Sequence, residues 1–266
     1  MSTRQSRWPW ILVAVVVLAA GAWLFRSQEG RPVVEGSGQP AAPAPLEEIA
    51  VAGGEPAVRH PLDPRDMADE AIPALDDSDA TAWDTLAGLV GDASVLDVLL
   101  RDHLVQRLVT MIDNLDQPRI PTRALALRAL PGDFLTEPEG DALYLSPANP
   151  QRYEPWVRAF TGTDAARLAV AYRRFYPLFQ QAYAEIAGPN AYFNDRLVSV
   201  IDHLLQVPEP EAMPRLEPAA NGRFRYADPR LESRSVGQKA LLRLSAEQRG
   251  AVKHQLRALR TELAHG

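Results

Sequence analysis

The pattern of apolar and polar positions divides the chain into three parts. Residues 10–25 (WILVAVVVLAAGAWLF) form one uninterrupted run without a charged side chain. Residues 27–75 show neither the 3.6-residue period of a helix nor the alternation of a strand. Farther on, apolar side chains recur at helical spacing in several segments. We therefore predict an N-terminal membrane anchor (1–26), a linker (27–75) and a helical domain (76–266).

The first apolar run has the length and the flanks of a transmembrane helix. Extended to residues 8–25, it is near the lower limit for crossing a hydrocarbon core of about 30 Å. Tryptophans lie near both ends, and Arg4 and Arg7 precede the run. The positive-inside rule then predicts a single-pass protein with a cytoplasmic N-terminus and the rest of the chain outside. A bacterial inner membrane, with the domain in the periplasm, is the natural setting for this topology. The alternative is a signal peptide cleaved at residues 20–22, which would leave bulky apolar residues at the new terminus.

The composition of residues 27–75 predicts a disordered tether. This stretch holds eight prolines and five glycines, and its nine acidic side chains face three arginines. Such a segment cannot bury enough apolar surface to offset its conformational entropy. Its expected span of about 35–42 Å would hold a domain clear of the headgroups. An alternative to a plain spacer is a docking strip for a partner, formed by Leu46, Ile49 and Val51.

Start and stop signals predict most of the helices of the domain. Ser94, with Asp97 three residues on, resembles a capping box that opens a helix ending at residues 117–118. A second long helix is predicted to begin after Asp164 and to be kinked or broken at Pro177. Its apolar face would comprise Leu168, Tyr172, Phe175, Phe179, Tyr183 and Ile186.

Two further helices follow in the last third of the chain. Asn190 is predicted to cap a helix that stops at Pro208, and Ser245 with Gln248 forms a capping box for the last one. Val252, Leu256, Leu259 and Leu263 would bury one face of that last helix. Between the helices, residues 120–145 and 213–227 contain only short apolar runs among Pro and Gly. We predict a compact, mainly α domain of seven or eight helices, with at most short strands.

Composition and charge narrow the classes of function. The net charge is -6, which argues against binding of nucleic acid because that function needs clustered Lys and Arg. The chain has no cysteine, which excludes disulfides, thiol nucleophiles and cysteine-ligated metals. The five histidines show no metal-ligand spacing, and no Gly-rich phosphate-binding motif or G-x-S-x-G motif occurs. We therefore predict neither a metal site nor a cofactor.

Paired carboxylates leave one enzymatic hypothesis open. A domain outside the cytoplasm has cell-wall glycan within reach, and glycosidases use one protonated and one ionised carboxyl group. Candidates for a peptidoglycan-active hydrolase are Glu185, Asp195, Asp228 and Glu232. The alternative is that these acids cap helices or pair with Arg196, Arg230 and Lys239.

A cluster of aromatic side chains at residues 172–193 is the main candidate for binding. Most members are spaced to face a core, but buried tyrosine hydroxyls need polar partners. A groove that binds a peptide, a glycan or a partner helix is the other interpretation, with tyrosines stacking and Arg196 orienting the ligand. The candidate binding residues are Tyr172, Tyr176, Tyr183, Asn194 and Arg196.

Several short motifs occur in a distinctive order: DNL (113–115), RY (152–153), YRRFYPL (172–178), QAY (181–183), FNDR (193–196), YADPRLE (226–232), QK (238–239) and LLR (241–243). This set resembles an uncharacterised bacterial membrane-anchored family, the domain of unknown function numbered 3014. The resemblance covers most of residues 76–260. It implies an envelope protein without a known reaction, so no catalytic residue follows from it.

Together, these observations favour a non-enzymatic protein of the cell envelope. An anchor, a tether and a helical domain would make a scaffold or a partner-binding module, because tethering raises the local concentration of a binding surface. The expected partners are the lipid bilayer, through residues 8–25, and an envelope protein or the cell wall. The competing hypothesis is the peptidoglycan-active hydrolase.

Overall fold

The computed structural model describes residues 57–63, 72–90, 92–121, 124–128, 130, 134–219 and 224–264. The predicted anchor lies outside these residues, and so do most of the predicted linker and its apolar strip at Leu46, Ile49 and Val51. Within the described ranges, no helix combines the length and the apolar character that crossing a membrane requires.

The described part of the chain contains eight α-helices, two short 3-10 helices (Leu75–Asp77 and Ala93–Val98) and four β-strands. The helices are α1 (Asp79–Ala87), α2 (Leu104–Asp113), α3 (Asn149–Thr161), α4 (Ala165–Ala187), α5 (Phe193–Leu205), α6 (Pro229–Glu232), α7 (Val236–Leu242) and α8 (Ala246–Ala264). The strands are β1 (Thr136–Glu139), β2 (Ala142–Leu145), β3 (Arg215–Pro218) and β4 (Phe224–Tyr226). The prediction of a mainly α domain with short strands is confirmed.

The core lies between the long helices. The C-terminal helix α8 packs against α3, α4 and α5, and α2 packs against α4. The predicted apolar face of α8 is buried, as are its four predicted members Val252, Leu256, Leu259 and Leu263. The capping box that opens α8 is also confirmed, because Gln248 N–H donates to Ser245 Oγ at 3.1 Å and Ser245 N–H donates to Gln248 Oε1 at 3.3 Å.

The four strands form one antiparallel sheet in the order β1-β2-β3-β4. A two-residue turn joins β1 to β2, and its Gly140 has a φ of 57°, a left-handed conformation that such hairpin turns use and that glycine adopts without strain. Each of the two segments predicted to hold short strands supplies two of them. The sequence pattern did not predict their assembly into a sheet, because β2 and β3 pair across some 70 residues, with Leu143 opposite Leu216.

Helix α2 begins ten residues later than the pattern predicted. Ser94 lies in the short 3-10 helix Ala93–Val98, and its N–H donates to Asp92. The start of α2 is instead capped from a distance: the carboxylate of Asp79 accepts the N–H groups of His103 at 2.8 Å and Leu104 at 2.7 Å. His103 precedes the helix with a φ of 51°. A cap supplied from another helix leaves no local signal in the sequence.

Helix α4 begins where predicted, since Asp164 accepts the N–H of Arg167 at 2.9 Å, but it continues through Pro177 without a break. Pro177 is exposed, so the carbonyl that loses its partner faces the solvent side of the helix. The predicted apolar face is buried except for Ile186, which is 49% exposed. The sequence pattern does not predict α3, because Pro150 and Pro155 interrupt its helical period.

Candidate functional site

The predicted binding tyrosines lie in the hydrophobic core. Tyr172, Tyr176 and Tyr183 are 1%, 4% and 8% exposed. The ring of Tyr172 stacks on Phe179 with centroids 5.6 Å apart, and that of Tyr183 lies 5.3 Å from Phe193. Burial raises the pKa of all three hydroxyls. In this structure the rings join α4 to α5, and a direct role in binding a partner stays a prediction.

A polar network connects this aromatic core to the surface at the start of α5. Tyr176 Oη donates to Gln180 Oε1 at 2.8 Å, and the same oxygen accepts the N–H of Phe193 at 2.8 Å. Gln180 Nε2 in turn donates to the carbonyl of Ala191 at 2.6 Å. Gln180 therefore fixes the loop between α4 and α5, and with it the position of Tyr192, whose ring lies 5.6 Å from that of Tyr176.

Three side chains at the start of α5 hold a distant segment of the main chain. The carboxylate of Asp195 accepts the N–H groups of Arg59 at 2.9 Å and His60 at 2.7 Å. Asn194 Nδ2 donates to the carbonyl of His60 at 2.8 Å. Tyr192 Oη accepts the N–H of Leu62 at 2.9 Å. We call Tyr192, Asn194 and Asp195 the docking site, and residues 57–63 the docked segment.

The docked segment lies within the stretch predicted to be a disordered tether. Asn194 is fully buried, and its amide also donates to the carbonyl of Leu263 at 3.0 Å, so the site is anchored in α8. The side chain of Leu62 is only 4% exposed and belongs to the hydrophobic core. The contacts of the domain therefore begin before the predicted boundary at residue 76. The composition could not indicate this, because the contact depends on groups more than 130 residues away.

Arg196, the other predicted binding residue, is occupied by an ion-pair network. Its Nε donates to Asp113 Oδ1 at 2.6 Å, and its two terminal nitrogens donate to Asp116 at 2.7 and 2.8 Å. The carbonyl of Asp113 accepts a further hydrogen bond from it. These hydrogen bonds, chiefly those to Asp116, raise the pKa of Arg196. Burial alone would raise the pKa of Asp116, but the hydrogen bonds from Arg196 and Gln117 lower it.

A histidine and a serine meet beside this network. His203 Nε2 lies 2.9 Å from Ser235 Oγ, and the same oxygen accepts the N–H of Gln238 at the start of α7. Gln238 Nε2 donates to the carbonyl of His203 at 2.9 Å. Burial lowers the pKa of His203. Ser235 thus acts as a helix cap, the role that its sequence context favours, and the pair links α5 to α7.

A second buried polar cluster lies between α3, β4 and α7. Tyr153, Tyr226 and Arg243 are each 3% exposed. Burial raises the pKa of both hydroxyls, that of Tyr226 to about 12, and the nearby guanidinium of Arg243 opposes this shift. That guanidinium also lies 5.1 Å from the ring centroid of Phe134. These residues belong to the RY, YADPRLE and LLR motifs, and the sequence alone predicts no role for them.

The four acids of the hydrolase hypothesis are held in different surroundings. Asp195 binds the docked segment, and Glu232 accepts hydrogen bonds from Lys239 Nζ and from Tyr226 N–H, both at 2.9 Å. The side chain and backbone N–H of Arg230 bind Asp228 and lower its pKa, so this carboxyl group is ionised and unsuited to donate a proton. Glu185 is exposed near the end of α4. Two of the four acids, Asp228 and Glu232, thus perform the capping and pairing roles of the alternative interpretation, whereas Asp195 binds main-chain groups of a distant segment.

A comparison with known protein families identifies the family of this chain. The sequence profile described as "Protein of unknown function (DUF3014)" matches residues 104–260, more than half of the chain. The chain belongs to the DUF3014 family. The predicted resemblance is therefore confirmed, although the match itself carries no information about membrane anchoring. No curated protein and no solved structure matches the chain.

The motifs that carried the DUF3014 resemblance meet at few places in the fold. The DNL motif (113–115) and the FNDR motif (193–196) meet through Arg196 and Asp113, and FNDR also supplies two members of the docking site. The RY, YADPRLE and LLR motifs meet in the second buried cluster. The sequence offers Asp195 as an acid of a hydrolase, a helix cap or an ion-pair partner, and its binding to the main chain of residues 59–60 leaves no local signal.

Proposed function

We propose that this DUF3014 protein is a membrane-tethered, non-enzymatic module of the cell envelope that binds an extended peptide segment of a partner. The observation that carries the proposal is the docking site at the start of α5. Tyr192, Asn194 and Asp195 hold four main-chain groups of an extended segment. A site that can hold this segment has the donors and acceptors needed to hold another of the same shape.

The chemistry of the site suits peptide recognition more than catalysis. Asp195 is used as a double acceptor for adjacent N–H groups, and Asn194 as a donor to the carbonyl beside them. Hydrogen bonds to main-chain groups provide affinity with little dependence on sequence, and a pocket for one side chain adds selectivity. The buried position of Leu62 supplies such a pocket.

The cellular setting of the proposal rests on the sequence. The apolar run at residues 8–25, preceded by Arg4 and Arg7, favours an inner-membrane anchor with the domain in the periplasm. A reporter that is active only in the periplasm, fused after Gly266, should be active. Activity of a cytoplasmic reporter at the same position would contradict this topology.

Partner binding can be tested by photo-crosslinking in intact membranes. A photoreactive residue in place of Asn190, which is exposed and two residues before Tyr192, should give an adduct with an envelope protein. Asp195→Asn should remove the adduct because it weakens the paired acceptor. The matched control is Asp228→Asn, which alters an acid outside the docking site and should leave the adduct intact. Equal adducts in both variants would contradict the proposed site.

A further inference from the structure

We infer that residues 57–63 are an intramolecular ligand that keeps the docking site closed until a partner peptide displaces them. This inference rests on the proposed function and adds its regulation and its ligand class. The ligand is an extended peptide with two consecutive main-chain N–H groups, whose second residue is followed, two positions later, by an apolar side chain. In the chain itself Arg59 and His60 provide the N–H groups, and Leu62 provides the apolar side chain.

The docking site binds main-chain groups of the docked segment, and within residues 57–63 only the side chain of Leu62 is buried. All four hydrogen bonds from the docking site go to N–H or carbonyl groups of the segment. Val58 is 47% exposed and Arg59 is exposed, whereas Leu62 is buried. Pro61 restricts His60 to an extended backbone, which lowers the entropy lost on docking. Many partner sequences can therefore satisfy the same contacts.

Displacement of the docked segment requires the loss of its four hydrogen bonds to the docking site and of the packing of Leu62. In the sequence, residues 64–78 join the segment to α1. Such a connection gives an effective concentration in the millimolar range, which keeps the site occupied without high intrinsic affinity. A partner peptide with additional contacts outside the site would then prevail over the segment.

Freeing the site in the complete protein gives a direct test. The double variant His60→Pro and Leu62→Pro, which we call the freed chain, lacks two of the donated N–H groups and the apolar side chain. It leaves Tyr192, Asn194 and Asp195 unchanged. The probe is a fluorescent peptide with the sequence of residues 57–63 (AVRHPLD), added to the full chain in detergent micelles. We expect the freed chain to bind the peptide at least tenfold more tightly than the wild type. Val58→Ala, which changes an exposed side chain, should behave as the wild type does.

Three outcomes separate the inference from the function on which it rests. Tighter binding to the freed chain, lost again when Asp195→Asn is added, supports both. Equal binding to the wild type and the freed chain overturns the intramolecular block and leaves peptide binding standing. No binding to the freed chain, with its helical circular dichroism unchanged, overturns the docking site as a peptide-binding site and the inference with it.

Discussion

Arg196 binds Asp116 through two parallel hydrogen bonds, from its two terminal nitrogens to the two carboxylate oxygens at 2.7 and 2.8 Å. The two residues are 80 positions apart, and their side chains are only 19% and 22% exposed. Bidentate pairing of this kind is both strong and demanding in geometry. It fixes the first turn of α5 against the end of α2, one residue away from the docking site.

Replacing Arg196 by alanine should destabilise the domain. The change leaves the largely buried carboxylates of Asp113 and Asp116 without their cation, which costs about 2–4 kcal/mol of unfolding free energy. Urea unfolding followed by circular dichroism measures this loss. The control is Arg230→Ala, which breaks an ion pair of a fully exposed arginine and should hardly move the midpoint. A small effect of Arg196→Ala would return this residue to its predicted role in binding.

Stability should fall as the pH is lowered from 7.5 to 5. Burial places the pKa of His203 in the folded state below its ordinary value of 6.5, and Arg196 and Arg234 also lower it, whereas Asp116 raises it. As the pH falls, His203 therefore takes up a proton in the unfolded chain before it does so in the folded chain. The contribution of neutral His203 to the free energy of unfolding is complete above pH 6.5, and it is lost as the pH falls through the folded-state pKa.

The pH prediction is checked by comparing unfolding midpoints across this range. His203→Gln cannot take up a proton, so its stability should change less between pH 7.5 and 5 than that of the wild type. The same slope in both proteins would assign the pH dependence to other groups.

Two glycines in helices should respond oppositely to alanine. A Cβ atom at Gly237 would lie 2.5 Å from Leu204 Cδ2 and 2.8 Å from the carbonyl oxygen of Leu115, so α7 would have to move. We expect Gly237→Ala to cost about 1–3 kcal/mol. Gly250 in α8 has open space at the same position, and Gly250→Ala should stabilise by about 0.5–1 kcal/mol. Thermal unfolding of the two variants side by side decides the matter.

The distant cap of α2 gives a further prediction. Asp79→Ala leaves the N–H groups of His103 and Leu104 without their acceptor and should cost about 1–2 kcal/mol. Asp77→Ala, two residues earlier at an exposed position, is the matched control and should have little effect. If both variants unfold at the wild-type midpoint, solvent replaces the cap at no cost.

The sequence by itself determined the features that depend on near neighbours in the chain. The capping box of Ser245 and Gln248, the N-cap at Asp164 and the apolar face of α8 all rest on spacings of three or four residues. Helical period and capping are written within one or two turns, so a single sequence shows them. The ordered set of motifs likewise sufficed to place the chain in the DUF3014 family.

Only the tertiary structure decided what the polar side chains do. The sequence could name Asn194, Asp195 and Arg196, but their partners lie between 69 and 136 positions away. In the same way, Asp79 caps α2 from 25 positions away, and α2 begins at Leu104 instead of after Ser94, where the sequence predicts its start. Which groups meet across such distances depends on how the helices pack, because packing brings together side chains whose positions in the sequence are independent of each other. The periodicity of the chain predicts which face of a helix is buried, and the packing of the helices determines which distant residues contact that face.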